Sequence, residues 1–152
     1  MRVFLLLFIL SLSAYAADDP PSPPEKKKDA VVDRYEAAAA RQDWPAAAAS
    51  LKEGLAKDPG NARYHNLFAY AVRKGPNPDL GLAFKHYNEA LRIDPEHRGA
   101  HEYIGEAYLM VGNLAKAKEH LGVLDKLCFL PCAEFTELKK AIAEYGKKGL
   151  GR

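Results

Sequence analysis

Serine and threonine are scarce in this chain: beyond Ser11 and Ser13 near the start there are only Ser22, Ser50 and Thr136. One of those three falls in a linker and two on predicted helices, with no acid–base partner in register. That argues against a Ser-His-Asp type of nucleophile. There is no glycine-rich phosphate loop and no G-x-G-x-x-G fingerprint, so nucleotide chemistry has no cradle. Charge of one sign is also lacking. The 22 basic and 20 acidic residues are scattered and leave a formal net charge of +2, so nucleic acid is not expected as a partner. Long apolar runs are missing too, since the VFLLLFIL of Val3 to Leu10 falls well short of the roughly 20 residues that cross a bilayer.

That short run follows Arg2 and precedes Ala14-Tyr15-Ala16. A single positive charge, an apolar segment and a small-x-small triplet have the anatomy of a signal peptide, here residues 1–16 with cleavage expected after Ala16. The expected location is therefore the periplasm, without stable membrane insertion once the signal is removed. Residues 17–27 hold four prolines and charges of both signs with nothing to bury, and read as a disordered linker. The lysines at 26–28 belong to this solvated stretch.

Cysteine is nearly absent, at Cys128 and Cys132 alone. CFLPC has three residues between the thiols and Ala133 after them, so it is not a haem attachment signal. Two thiolates without a second pair or a nearby His do not make a structural zinc site. Export to an oxidising compartment favours an intramolecular disulfide between them. A redox-active pair and a soft copper(I) site remain the alternatives. His97 and His101 stand i, i+4, but no third ligand accompanies them, and no metal or cofactor is expected. His86 and His120 are expected on solvated helix faces.

What the chain does have is self-similarity. DWPAAAASLKEGLAKDP (Asp43 to Pro59) and DLGLAFKHYNEALRIDP (Asp79 to Pro95) share their Asp start, an Ala at the fifth place, a Leu at the thirteenth and a closing Asp-Pro, offset by 36 residues. NLAKAKEHLGVLDKLCF (Asn113 to Phe129) follows 34 residues later, with Ala117 in the place of Ala47 and Ala83. Between them lie NARYHNLFAYAVRKG and RGAHEYIGEAYLMVG, each closing on a glycine, Gly75 or Gly112. Small or apolar residues at i, i+4, i+7 (Ala47, Leu51, Gly54; Ala83, Tyr87, Ala90; Ala117, Leu121, Leu124) give each of the three repeated blocks one buried helical stripe, and the blocks between them read as the first helices of the pairs. Asn61, Asn77 and Asn113 are expected caps, Pro78 a first helical residue, and Gly75 and Gly112 left-handed C-terminal stops. A helix pair of this kind buries its face only by stacking on its neighbours. CAEFTELKKAIAEYGKK (132–148) sets Phe135, Leu138, Ile142 and Tyr145 on one face, as a capping helix would.

These residues resemble the tetratricopeptide repeat. Leu67 and Ile104 stand at its Leu place, Gly105 at its small place, Tyr108 at its Tyr, the three alanines at its central Ala, and Pro59 and Pro95 at its closing Pro. Phe68 departs from the pattern at the small place, and Gly75-Pro76-Asn77-Pro78 lengthens one turn. The resemblance implies an all-α fold, an α-α superhelix of about three helix-turn-helix repeats over residues 28–131 with the C-terminal cap, and a concave groove that takes a protein or peptide ligand. Carried over by alignment, the family's groove places imply His65, Asn66, Arg73, Glu102, Glu106 and Met110 as partner-binding residues, with Arg73 and Glu106 expected to be dispensable for stability. The expected function is a monomeric, non-catalytic scaffold for an envelope protein complex, with a thiol-based redox or metal-handling factor as the alternative.

Overall fold

The computed structural model describes residues 29–150; the expected signal peptide and linker lie outside the described residues. Seven helices make up the described part: α1 Ala30–Ala40, α2 Trp44–Lys57, α3 Ala62–Lys74, α4 Leu80–Ile93, α5 Arg98–Met110, α6 Leu114–Leu127 and α7 Ala133–Leu150. No strand occurs among these residues, and no described helix is long and apolar enough to cross a membrane. The helices pack as consecutive pairs, α1 on α2, α3 on α4 and α5 on α6. Each pair stacks on the next, and α7 closes the stack against α5 and α6.

Short polar side chains start the helices. Asp29, Asp43, Asn61, Asp79 and Asn113 each accept from a backbone N–H of the first turn, and His97 does the same through its ring. These bonds satisfy donors that have no partner inside the helix. The expected cap Asn77 is displaced by Asp79, so Pro78 lies outside α4 rather than in its first turn. The aspartate sits where the backbone is extended and its carboxylate reaches the amide of Leu82.

Only one of the two expected glycine stops is left-handed. Gly112 has φ +77°, whereas Gly75 is extended at φ −62° and ψ 168°. Gly75 directly follows the last residue of α3, while Gly112 comes one residue later, after Val111. The two glycines are therefore not equivalent, and an alignment made on them is one residue out of register. Helix starts 36 residues apart, Asn61 and His97, set the true register. It puts Ala69, not Phe68, level with Gly105 at the small place, and Phe68 level with Ile104 as an ordinary core residue. At the same position in the first repeat Gln42 takes the left-handed conformation, φ 57°.

The repeated alanines Ala47, Ala83 and Ala117 are fully buried, as are Leu51, Tyr87, Ala90 and Leu124 on the same stripes. Small residues there let helices approach. A Cβ on Gly54 would come within 2.7 Å of Val31 Cγ1 and 3.0 Å of the Tyr64 ring. On Gly105 it would lie 2.7 Å from Leu138 of α7, a residue with no exposure, so the gap at this glycine in α5 seats the capping helix. Cys128 caps the end of α6 and Cys132 precedes α7, with their sulfurs at bonding distance, 2.06 Å, and their Cα atoms 5.8 Å apart.

Candidate binding groove

The corrected register explains where the six expected partner-binding residues go. Asn66 and Glu102 are equivalent positions of α3 and α5, and the fold brings them together in one cavity of about 470 Å³, closed on its far side by Ala133, Glu134 and Glu137 of α7. Arg63, Leu67, His97, Gly99 and Tyr103 complete its wall. Asn66 is 3% exposed and its Oδ1 has no hydrogen-bond partner among the described residues. Glu102 is 9% exposed. Burial, reinforced by Glu106, Glu134 and Glu137 and opposed by Arg73, pushes its carboxyl up to about 7. The charged groups nearest the cavity are tied outward: Arg63 pairs with Glu36 of α1 at 3.6 Å and Arg98 with Glu134 of α7 at 3.9 Å.

Arg73 does not line this cavity. It is 6% exposed, bonds Glu106 at 2.7 Å and the Tyr87 hydroxyl at 3.2 Å, reaches the Met110 sulfur at 3.7 Å, and lies over the Tyr70 ring. Three of the expected ligand contacts, Arg73, Glu106 and Met110, thus form one cluster tying α3 to α4 and α5, with Arg73 buried and Met110 exposed at its edge. Arg73 is not dispensable for stability, because truncating it would strand a buried hydroxyl and a carboxylate.

His65 is the fourth displaced residue. Its Nε2 lies 3.0 Å from the Pro59 carbonyl and its Nδ1 2.8 Å from Nδ1 of His86. The arrangement recurs one repeat on, where His101 Nε2 is 2.9 Å from the Pro95 carbonyl and its Nδ1 2.9 Å from His120 Nδ1. A carbonyl only accepts, so His65 and His101 donate from Nε2. In the neutral ring Nδ1 then accepts, and His86 and His120 donate to it. His86 and His120 are accordingly half-buried partners of this internal pairing, not solvated side chains. Burial, together with the facing imidazole, lowers the pKa of His86 and takes that of His120 down to about 4. His97 caps α5 through Nδ1 and His101 is spent on its pair, so the i, i+4 histidines do not converge; among the described residues no group of three His, Cys, Asp or Glu could hold a metal ion.

The contribution of α7 went unread in the sequence. Glu134 and Glu137 face α3 and α5 only because Leu138 docks over Gly105, a pairing that no repeat register specifies. The CFLPC loop also presents Phe129, fully exposed, and Leu130 beside it.

No family model matches the chain. Over 63 residues, 41% of this chain, it is 38% identical to the inactive TPR repeat-containing thioredoxin TTL3 of Arabidopsis thaliana. That stretch spans only 9% of the relative's length. Its structure is similar to the TPR2B domain in the pHsp70 complex of yeast Sti1, with a TM-score of 0.69, 20% sequence identity, and coverage of 78% of this chain and 94% of that one. Repeat register, helix-pair stacking and this likeness define the fold: the chain is an α-α solenoid of the tetratricopeptide-repeat kind.

Proposed function

We propose that the chain is an exported, non-catalytic scaffold of the periplasm that holds an extended segment of another polypeptide in the groove lined by α3, α5 and α7, in the assembly or upkeep of an envelope protein complex. The observation that carries the reading is the cavity in which Asn66 is buried without a partner and Glu102 without an ion pair. A buried polar atom left unsatisfied, as the Asn66 Oδ1 is, costs roughly 1–3 kcal/mol, and a ligand's backbone amide would supply the missing bond. The structural neighbour is a TPR domain in a complex with pHsp70, which supports a peptide ligand for the fold. The leader and its Ala14-Tyr15-Ala16 triplet support export. The test is capture from envelope extract with the full mature chain against Asn66→Ala and Glu137→Ala variants. The reading expects one polypeptide retained by the parent and lost with the cavity variants while melting is preserved. Capture that survives both changes would overturn it.

The alternative, a thiol-based redox or metal-handling role, draws on the adjacent sulfurs of Cys128 and Cys132 in an exposed loop. It expects the pair to exchange readily with a mild dithiol and the function to vanish in the double serine variant.

A further inference from the structure

We propose that the cavity between α3, α5 and α7 seats a cationic side chain, lysine or arginine, of the partner polypeptide, with Glu102 as its counter-ion and the Asn66 amide at its wall. The inference rests on the groove reading above and adds the charge class of what enters it. Four observations converge on it. Glu102 is nine-tenths buried, yet no hydrogen bond or ion pair is made to it among the described residues. Glu134 and Glu137 of α7 line the same space, so the cavity holds three carboxylates and one arginine; that arginine pairs with Glu36, and Glu134 and Glu137 pair only at long range, with Arg98 at 3.9 Å and Lys140 at 4.0 Å, which leaves Glu102 outside these pairs. Asn66, buried and with its Oδ1 unpartnered, lines the same cavity. Gly99 leaves the wall open, since a Cβ there would come within 3.3 Å of the Asn66 amide nitrogen.

The energetics run the same way. A buried carboxylate surrounded by others is costly until a cation arrives. Burial and those neighbours raise Glu102 to about 7, and a bound ammonium or guanidinium would reverse that shift. The volume is ample for one such head group and its apolar stem, for which Leu67 and Tyr103 supply a surface. The chain as a whole carries a net charge of +2, so general attraction would not draw a cationic peptide to it.

The experiment titrates the full mature chain at pH 8 and low salt with acetylated hexalysine, hexaglutamine and hexaglutamate amides. Calorimetry gives the affinity, and amide chemical shifts locate the contact. The expected result is binding of hexalysine alone, with shifts centred on Gly99 and Ala133. Glu102→Gln should weaken it about tenfold or more, the worth of a charge-assisted bond, and Glu134→Gln/Glu137→Gln should weaken it by a smaller factor. Glu102→Gln keeps the side-chain shape and removes a buried charge, so loss of fold is not expected to obscure the result; an unchanged amide spectrum away from the cavity checks this. Hexalysine that binds the Glu102→Gln chain as tightly as the parent, or that shifts residues elsewhere, would overturn the proposal. Hexaglutamine or hexaglutamate binding that is lost on Asn66→Ala would overturn it while leaving the groove reading standing. Absence of binding by all three would overturn the cationic assignment, and the groove reading would then stand or fall on the capture experiment alone.

Discussion

At the scale of single residues, the groups that matter are buried and titratable. Glu102 illustrates a side chain kept at a cost. Its folded pKa, about 7, lies above the ordinary carboxylate value of 4.5, so the folded chain binds the proton more tightly than the unfolded one between those limits. The contribution of Glu102 to stability is therefore fully present below about pH 4.5 and is lost as pH rises through 7. Glu102→Gln should remove that loss. Thermal or urea unfolding at pH 8 should show a gain of up to about 3 kcal/mol, and the gain should vanish near pH 4; an equal gain at both would show that ionisation is not its source. The histidine pairs run in the opposite sense. His86 and His120 have folded values below the ordinary 6.5, so their contribution is fully present above 6.5 and is lost as pH falls, for His120 toward about 4. Protonating His86 or His120 places a charge in a half-buried site beside the facing imidazole, which burial disfavours. His86→Asn/His120→Asn retains a donor that does not titrate, so melting should decline less between pH 7.5 and 5 in the variant than in the parent. Identical slopes would contradict the pairing.

At the scale of elements, helix ends and the last loop are where the fold can be adjusted. Gln42 holds φ 57° at the end of α1, where the third repeat has Gly112. Asp43 N–H bonds the Ala38 carbonyl and Asn113 N–H the Tyr108 carbonyl, so the two stops share one geometry. A side chain in that region costs about 1 kcal/mol or more. Gln42→Gly should raise stability by roughly 0.5–1 kcal/mol in denaturant melts; a loss would mean that the glutamine side chain makes a compensating contact. The Cys128–Cys132 link closes too short a loop to drive folding, worth about 2 kcal/mol on chain entropy. Replacing both by serine should lower melting modestly and raise hydrogen exchange in α7 more than in α3 to α6. Uniform loss of protection would show that the link supports the whole stack. The helices, the repeated alanine stripe and the cap's apolar face were legible from periodicity, because each is local. The register between first helices was not. Gly75 and Gly112 look alike in sequence but sit at different positions after their helices, and that one-residue slip sent Arg73 and His65 to the groove when they belong to the interior. The paired identities His65/His101 and His86/His120 held the correct register, since imidazoles 36 and 34 residues apart recur only if both helices keep phase.

At the scale of the whole molecule, three stacked pairs and a docked seventh helix leave one cavity that joins Asn66, Glu102 and the acidic face of α7. The sequence carried the solenoid and two of these three contributions; the third depends on how Leu138 seats against Gly105, which is tertiary packing alone. The central claim is that this cavity, and not the opposite face built from α4 and α6, meets the partner polypeptide. The most direct measurement is site-specific photo-crosslinking in the full exported chain, with the photoreactive residue at Glu137 in the cavity or at Lys118, exposed on α6. The account predicts a discrete polypeptide adduct from position 137, reduced by Glu102→Gln, and none from position 118. An adduct from position 118 with none from 137 would contradict it.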